Sequence, residues 1–314
     1  MRNLHEVKQI RVHAGMSVNE LTEEMSGCGV LGAGRLAKAV EITTKMFSDP
    51  DCAVLLSLAG PLVAGGLRKI IKDLIEYGYL KAIVTTGANM VHDVVESLGY
   101  KHNRGSFKSD DLKLWKENIG RIGDIYVDLK VFENVEKWIY ENLESFSEDE
   151  REKLSPNKLL FKLGKRISDK ESIIASAAKK DIPIICPGLI DSIIGFQLWS
   201  FGRIKTLRMD PMLDLNALME LVLNAKKVGV LILGGGMPKH LTLFANTFRG
   251  GVDFALQITM DRPEAGSLSG AYLEEAISWG KVKDESNLVT LICDATIAFP
   301  IIIAATLERL KKAF

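Results

Sequence analysis

The stretch "VGVLILGGG", residues 228–236, decides the expected fold, because an unbroken apolar run stops at three glycines. A run rich in Val and Ile, without polar alternation, is typical of a strand that is covered on both faces. The next four residues are "MPKH", and Pro238 suits the first turn of a helix. The stretch therefore predicts a strand, a tight turn and a helix.

The same order recurs along the chain. Further apolar runs lead into a turn at "CAVLLSLAG" (52–60), "KAIVTTGAN" (81–89), "IPIICPGLIDS" (182–192), "FALQITM" (254–260) and "LVTLICDAT" (288–296). Strands that alternate with helical stretches indicate βαβ units. We expect one α/β domain over residues 1–314, with a Rossmann-like, doubly wound, mainly parallel sheet and helices on both faces. Residues 100–135 lack a clean period and are expected to leave this sheet, and a short N-terminal extension is expected at about 1–20.

The composition excludes several classes of function. The 40 basic residues balance the 40 acidic ones, so net charge recruits neither nucleic acid nor an anionic membrane. The longest apolar runs fall short of the roughly 20 residues that cross a bilayer, and the N-terminus does not resemble a secretory signal. The four cysteines are scattered without a CxxC pair, so no metal site is expected. These features predict a soluble, cytoplasmic protein.

The strand ends carry the candidate ligand-binding groups, each with a structural alternative. Three consecutive glycines allow the backbone to approach a phosphate, or they form a tight turn with positive φ. Asp191 and Asp294 follow apolar runs, where an aspartate binds a ribose hydroxyl or caps the next helix. His92 and His240 also lie just beyond strand ends and are candidates for proton transfer or amine orientation, although a lone histidine is more often structural.

Lys281 follows directly after Trp279 and Gly280. If residues 271–282 are helical, Glu274, Ser278 and Lys281 share one face. An indole that desolvates the amine, together with nearby carboxylates, suits a lysine that forms an imine. The alternative is a solvated Glu–Lys surface helix with a partly buried tryptophan.

The chain also resembles a known family over nearly its whole length. The stretches that carry the resemblance are "GAGRLAKAVE" (32–41), "SPNKLLFKLGK" (155–165), "CDATIAFPIIIAATL" (293–307) and, most specifically, "SGAYLEEAISWGK" (269–281). They are similar to the deoxyhypusine synthase family. The resemblance implies that Lys281 is the nucleophile and His240 an active-site histidine. It also implies that the substrate contacts are Trp279, Glu275, Gly235 and His92.

The resemblance further implies a cofactor, a reaction and an assembly. The family binds NAD, and the matching positions are Thr86, Gly87, Ala88, Asp191, Ser269, Asp294 and Ala295. The implied reaction moves the 4-aminobutyl group of spermidine, through a lysine imine, to a lysine of the hypusine-bearing translation initiation factor 5A-type protein. Family members are homotetramers with active sites between subunits, so a homotetramer is expected.

Three positions depart from the eukaryotic pattern of the family. Leu268, Phe196 and His92 stand where that pattern places carboxylates around the polyamine. Two outcomes fit this loss of negative charge. The chain is a prokaryote-type deoxyhypusine synthase that binds the amine with other groups, or it is a relative that resembles homospermidine synthase and hands the fragment to a small diamine such as putrescine. A non-catalytic NAD-binding protein is the third alternative.

Overall fold

The computed structural model describes residues 5–284 and 287–311, which form an α/β fold. The strands are β1 (Cys52–Leu58), β2 (Leu80–Thr85), β3 (Asn103–Arg104), β4 (Ile119–Ile122), β5 (Ile125–Asp128), β6 (Ile184–Ile185), β7 (Lys227–Leu233), β8 (Phe254–Thr259) and β9 (Leu288–Ile292). A six-stranded parallel sheet has the order β6-β2-β1-β7-β8-β9, and a small sheet has the order β3-β5-β4. Each of the six apolar runs forms a strand of the large sheet, so the predicted fold class is confirmed.

Helices follow most of these strands. They are α1 (Val18–Cys28), α2 (Leu31–Ser48), α3 (Arg68–Glu76), α4 (Gly87–Ser97), α5 (Asp111–Lys116), α6 (Val131–Glu144), α7 (Glu148–Glu152), α8 (Pro156–Gly164), α9 (Ile173–Lys180), α10 (Ile193–Gly202), α11 (Met212–Asn224), α12 (Gly236–Ala245) and α13 (Ala295–Arg309). Within the described part of the chain, none of them has the length and apolar character needed to cross a membrane.

The chain divides into two compact units. Unit 1 comprises the described residues up to Ser57 and those from Leu221 onward, and unit 2 comprises Leu58–Glu220. The sequence-based description as a single domain stays a prediction. The predicted N-terminal extension, residues 1–20, lies partly outside the described residues, and its described part has no regular element before α1.

Unit 1 is built around three neighbouring parallel strands. Strand β8 pairs with β7 and β9, so that Val230 lies opposite Ala255 and Ala255 lies opposite Leu288. Helix α2 packs closely on β7, because a Cβ atom at Gly229 would lie 2.5 Å from the sulfur of Met46. The continuous apolar run of β7 is therefore covered, as its sequence predicts.

Unit 2 contains the other end of the large sheet and all of the small one. Strands β2 and β6 pair in parallel, with Ile83 opposite Ile184. In the small sheet, Asn103 of β3 lies opposite Tyr126 of the antiparallel β5. The predicted departure of residues 100–135 from the main sheet is confirmed, and the segment adds a sheet of its own.

A fully buried carboxylate ties three elements of unit 2 together. Asp93 of α4 accepts hydrogen bonds from Arg68 Nε (2.6 Å), Ser172 Oγ (2.7 Å), Ile173 N (3.1 Å) and Ile174 N (2.9 Å). Its charge is therefore compensated by the guanidinium and by the amides at the start of α9. A buried ion held in this way is costly to break, because the groups left behind have no water to replace their partner.

Replacement of this carboxylate is expected to weaken the fold. Asp93→Ala should lower the free energy of unfolding by about 3–5 kcal/mol, the range for removing one partner of a buried ion pair. Denaturant titration of the variant and the parent protein measures the change. The control is Glu171→Gln, which removes an exposed pair with Lys69 at 4.0 Å and should cost at most about 1 kcal/mol. Equal, small losses in both variants would contradict the assignment.

Candidate active site

The glycine turn after β7 touches the backbone of a distant loop. Gly234 and Gly236 have φ values of 78° and 59°, which glycine adopts without strain. A Cβ atom at Gly235 would lie 2.4 Å from the Cα of Ser269. Gly234 and Gly236 therefore form the tight turn with positive φ that was one of the two alternatives from the sequence. Gly235 is required for a different reason, because its backbone lies against that of Ser269.

A buried lysine and a buried glutamine fix this contact. Lys239 is 4% exposed, and its Nζ donates to Gln257 Oε1 at 2.9 Å and to the carbonyl of Ala271 at 2.5 Å. The Nε2 of Gln257 donates to the carbonyls of Gly234 at 3.1 Å and Ser269 at 2.8 Å. Two side chains thus hold the glycine turn, β8 and the loop around Ser269 in one arrangement.

Charged groups gather next to this network. Burial lowers the pKa of Lys239 to about 8, with the carboxylate of Glu275 acting against the shift and the charge of Lys281 adding to it. Burial and the charge of Lys281 also lower the pKa of His240. The structure therefore brings together three residues that the sequence analysis singled out, and it adds Lys239.

Lys281 is half-buried and lies over an aromatic ring. Its Nζ is 5.3 Å from the centroid of the Trp279 ring, within the range of a cation–π contact. Its carbonyl accepts a hydrogen bond from Val252 N at 3.0 Å. A Cβ atom at Gly251 would lie 3.1 Å from its carbonyl carbon, so this backbone is also held closely. The aromatic neighbour proposed from the sequence is present.

The expected helix over residues 271–282 is wrong. Only Leu273–Ile277 forms a short 3-10 helix, and the chain then turns at Gly280, which has a φ of 65°. Lys281 N donates to the carbonyl of Ala276, five residues earlier, which is a helix-ending bond and not a helix-continuing one. The predicted alignment on one helix face is therefore also wrong for Glu274, Ser278 and Lys281.

The other predicted residues of unit 1 lie at helix and loop ends. Asp294 caps α13, since its Oδ1 accepts from the amide and the hydroxyl of Thr296 at 2.7 and 2.6 Å. Ala295 is the first residue of that helix and is buried. Ser269 contributes its carbonyl to the Gln257 network. The capping alternative from the sequence is thus observed for Asp294.

The predicted cofactor residues of unit 2 lie at the starts of two helices. Thr86 caps α4, and Gly87 is buried against Ser192, whose Oγ would lie 2.4 Å from a Cβ atom at Gly87. Ala88 is exposed on the first turn. Asp191 is exposed and does not cap the next helix, because Ser192 is the capping residue of α10. Its carboxylate is therefore available to another group.

His92 of unit 2 belongs to a chain of three ionisable side chains. Its Nδ1 lies 2.9 Å from His102 Nε2, and His102 Nδ1 lies 2.8 Å from Glu96 Oε1. Burial, with the charge of His102, lowers the pKa of His92 to about 4. Burial raises the pKa of Glu96, but hydrogen bonds from His102 and Lys101 outweigh it and lower that pKa to about 2.

Sequence reasoning missed four of the side chains in these networks, namely Lys239, Gln257, His102 and Glu96. A signal existed for Gln257, which is the single amide within the apolar run "FALQITM", and for Lys239, which stands directly before His240. No local signal marked His102, because it lies ten residues from its partner in a segment without clear periodicity.

Comparison with known proteins adds an independent line of observation. The family model for deoxyhypusine synthase matches residues 20–306. "Probable deoxyhypusine synthase" of Methanothermobacter thermautotrophicus is 46% identical over 307 residues, which cover 97% of this chain and 98% of that one. "Probable deoxyhypusine synthase 1" of Methanosarcina acetivorans is 42% identical over 307 residues, covering 98% and 96%.

A solved structure shows the same fold. The crystal structure of a "putative deoxyhypusine synthase" from Entamoeba histolytica aligns with a TM-score of 0.66 and 22% identity, covering 96% of each chain. At that identity the likeness supports the fold alone.

A methyl group at the contact between the two backbones should disturb the site. Gly235→Ala is expected to lower the free energy of unfolding by about 1–3 kcal/mol, because the new atom has no room beside Ser269. The control is Gly32→Ala in α2, where a Cβ atom meets nothing within 4 Å and stability should stay the same or rise. Denaturant titrations of both variants provide the measurement. A Gly235→Ala protein as stable as the control would refute the contact.

The buried lysine gives a pH dependence of stability with a definite sign. Its pKa is about 8 in the folded protein and 10.5 for an ordinary lysine. Between these values the unfolded chain binds more protons, so this group makes unfolding harder as pH rises. The free energy of unfolding of the parent protein should therefore increase relative to Lys239→Met from about pH 8 to about pH 10.5. If the free energies of unfolding of the two proteins changed with pH in parallel, the pKa of Lys239 would not be lowered in the folded protein.

Proposed function

The chain belongs to the deoxyhypusine synthase family, and from this premise we propose that it transfers the 4-aminobutyl group of spermidine to a protein lysine. The acceptor in the proposal is a hypusine-bearing translation initiation factor 5A-type protein. The observation that carries the proposal is Lys281, half-buried over Trp279 and electrostatically coupled to His240. A lysine next to other cationic groups and an aromatic wall suits imine formation.

Each neighbour of Lys281 has a task in this proposal. Lys281 attacks the oxidised carbon of spermidine, the bond to the central nitrogen breaks, 1,3-diaminopropane leaves, and the four-carbon fragment is held as an imine on the lysine. The exposed ring of Trp279 forms a wall of the slot and attracts a cationic chain. Glu275 is exposed, and its carboxylate binds an ammonium group of the substrate. His240 stacks on Phe244 at 5.7 Å between ring centroids, which orients its ring for proton transfer.

The proposal includes NAD, which supplies a hydride acceptor when it is bound. In unit 1 the fit rests on α12, whose N-terminus has no side-chain cap and so leaves amides for a phosphate. Ser269 and Ala295 are further candidates there, and Asp294 offers only the oxygen that does not cap α13. Gly235, the middle residue of this turn, is the candidate for a substrate contact in the proposal.

Unit 2 contains further candidate residues for binding NAD. The exposed carboxylate of Asp191 suits a ribose hydroxyl, because it does not cap a helix. Thr86, Gly87 and Ala88 form the start of α4, where amides favour negative charge. These features support the cofactor assignment.

A small diamine acceptor is the second candidate. Leu268 and Phe196 are 49% and 69% exposed, so apolar side chains stand on the surface where the family pattern has carboxylates. The change from charged to apolar side chains at these positions bears on which amine the protein selects. In this variant of the proposal the first half-reaction is unchanged, and putrescine receives the fragment.

Two further predictions from the family resemblance stay predictions. The first is assembly into a homotetramer whose subunits complete one another's active sites. The second is a cytoplasmic location. Neither is needed for the chemistry that the proposal assigns to Lys281.

Trapping the imine tests the proposal directly. The protein is incubated with NAD and spermidine, reduced with borohydride, digested and mapped by mass spectrometry. We expect a four-carbon amine adduct on Lys281 that is absent without NAD, because spermidine has to be oxidised before the imine can form. Borohydride reduces that imine to a stable amine, which survives digestion. Lys281→Arg keeps the charge but lacks the nucleophile, and it should show no adduct.

The control for this experiment is Lys283→Ala. Lys283 is two residues away and pairs with Asp253, so its loss should leave the adduct unchanged. Transfer of labelled fragment from the loaded protein then separates the acceptors, since either the translation factor or putrescine receives it. NAD binding without any adduct would refute the transferase and leave a non-catalytic NAD-binding protein.

A further inference from the structure

A continuous line of hydrogen bonds within unit 2, named the His92 relay, joins Glu96, His102 and His92. The two imidazole rings meet edge to face, with centroids 4.8 Å apart and an angle of 70° between their planes. Glu96 also accepts from the backbone amide of His102 at 3.1 Å and from Lys101 Nζ at 3.0 Å. The carboxylate is therefore fixed at one end of the chain, and His92 forms the other end.

The protons of this chain can be assigned from the hydrogen bonds. The low pKa of Glu96 keeps it ionised at neutral pH, and an ionised carboxylate only accepts. His102 must then carry its proton on Nδ1, which leaves a lone pair on Nε2 when the ring is neutral. That lone pair requires a proton on Nδ1 of His92. The Nε2 of His92 is consequently the unprotonated end of the chain.

The position of His92 makes this end available to a ligand. His92 lies on α4, which follows the carboxyl end of β2, the edge at which ligands bind in sheets of this kind. Its side chain is 8% exposed, and its Nε2 has no hydrogen-bond partner among the described residues. The atom is not sealed in the core either. A lone pair with no internal partner and residual access to solvent requires a donor from outside.

Burial disfavours a positive charge on His92, but the relay can place that charge on His102. When Nε2 of His92 gains a proton, its Nδ1 proton passes to Nε2 of His102. The products are a neutral His92 protonated on Nε2 and an imidazolium at His102, whose Nδ1–H still faces the ionised Glu96. No oxidant or further reactant is needed, and the charge ends beside a carboxylate that is 17% exposed and borders solvent.

We propose that His102 and Glu96 are positioning residues that keep Nε2 of His92 unprotonated, so that it takes a proton from an ammonium group of the substrate. The inference rests on the proposed function for the identity of the ligand. An amine gives up a hydride from its carbon only after it has lost its extra proton, so a proton acceptor has a defined task. The ionisable groups that act on His92 are His102 and Glu96, and Lys101 acts on Glu96.

A purely structural role is the competing explanation. His102 stands directly before β3, so the chain of side chains also fastens that strand to α4. Such a fastening needs the same hydrogen bonds and the same tautomers, but it gives the protons no task in the reaction. The two explanations therefore differ in the effect on turnover of replacing His102 by a side chain that forms hydrogen bonds but does not carry a proton.

The first arm of the test determines the histidine tautomers by NMR and needs no enzymatic turnover. Long-range proton–nitrogen NMR of protein labelled at its five histidines should show His92 protonated on Nδ1 and bare on Nε2 at neutral pH. The exposed His5 serves as the reference. A His92 that carries its proton on Nε2 would overturn the proposal, whatever the protein does with spermidine.

The second arm measures the spermidine-dependent reduction of NAD in the full chain. His102→Gln and Glu96→Gln keep hydrogen-bonding groups but remove the proton carrier or the charge, and kcat should fall about 100-fold with little change in the KM for spermidine. The control is Lys113→Met, whose side chain is 71% exposed and pairs with Glu117 outside this network, with kcat expected within twofold of the parent. Unchanged kcat in the two relay variants would overturn the proposal.

Failure of the proposed function has a separate signature. It would leave the parent protein without spermidine-dependent reduction, while the tautomers of His92 would still support or refute the relay. A relay variant that does not fold is recognised by its circular dichroism, and the NMR arm on the parent protein then decides alone.

Discussion

The arrangement of the candidate site in unit 1 depends on one buried ammonium group. Lys239 is almost fully enclosed, and an enclosed cation is tolerated only when acceptors surround it. The acceptors are Gln257 and the carbonyl of Ala271, which come from a strand and a loop. Leu273 N adds a bond to Thr290 Oγ1 at 3.0 Å. The segment that leads to Lys281 therefore starts from a fixed point, although most of it is not a regular helix.

The sequence predicts the six strands of the large sheet well because each is an apolar run long enough to be read without its neighbours. It predicts the segment of Lys281 badly because the spacing of side chains was compatible with a helix, while the backbone was decided by Gly280. A glycine with positive φ ends a helix at little cost, and the amide of Lys281 closes the turn on Ala276. The reactive group was found by resemblance, and its geometry required the structure.

Residues that act through distant partners were the hardest to find. Lys239 contacts residues 18 and 32 positions away, so no local pattern reveals why a lysine stands inside the core. Asp294 shows the opposite case, because its partner is Thr296 and the capping alternative was visible from the sequence. Asp191 was ambiguous for the same reason, and it was the side chain of Ser192 that took the capping position. Local chemistry is therefore predictable where the partner is near in sequence, and long-range networks are not.

A ligand is recognised differently by the His92 relay of unit 2 than by a simple carboxylate. A carboxylate attracts any cation through its charge, with little demand on direction. A neutral imidazole nitrogen offers one lone pair in the plane of its ring, so it favours a donor that lies along that direction. The charge of Glu96 stands two rings away and is shared with Lys101, so its direct pull on a ligand is weak. Selection at His92 therefore depends on an N–H in the correct place, which a primary or secondary ammonium supplies and a fully substituted one does not.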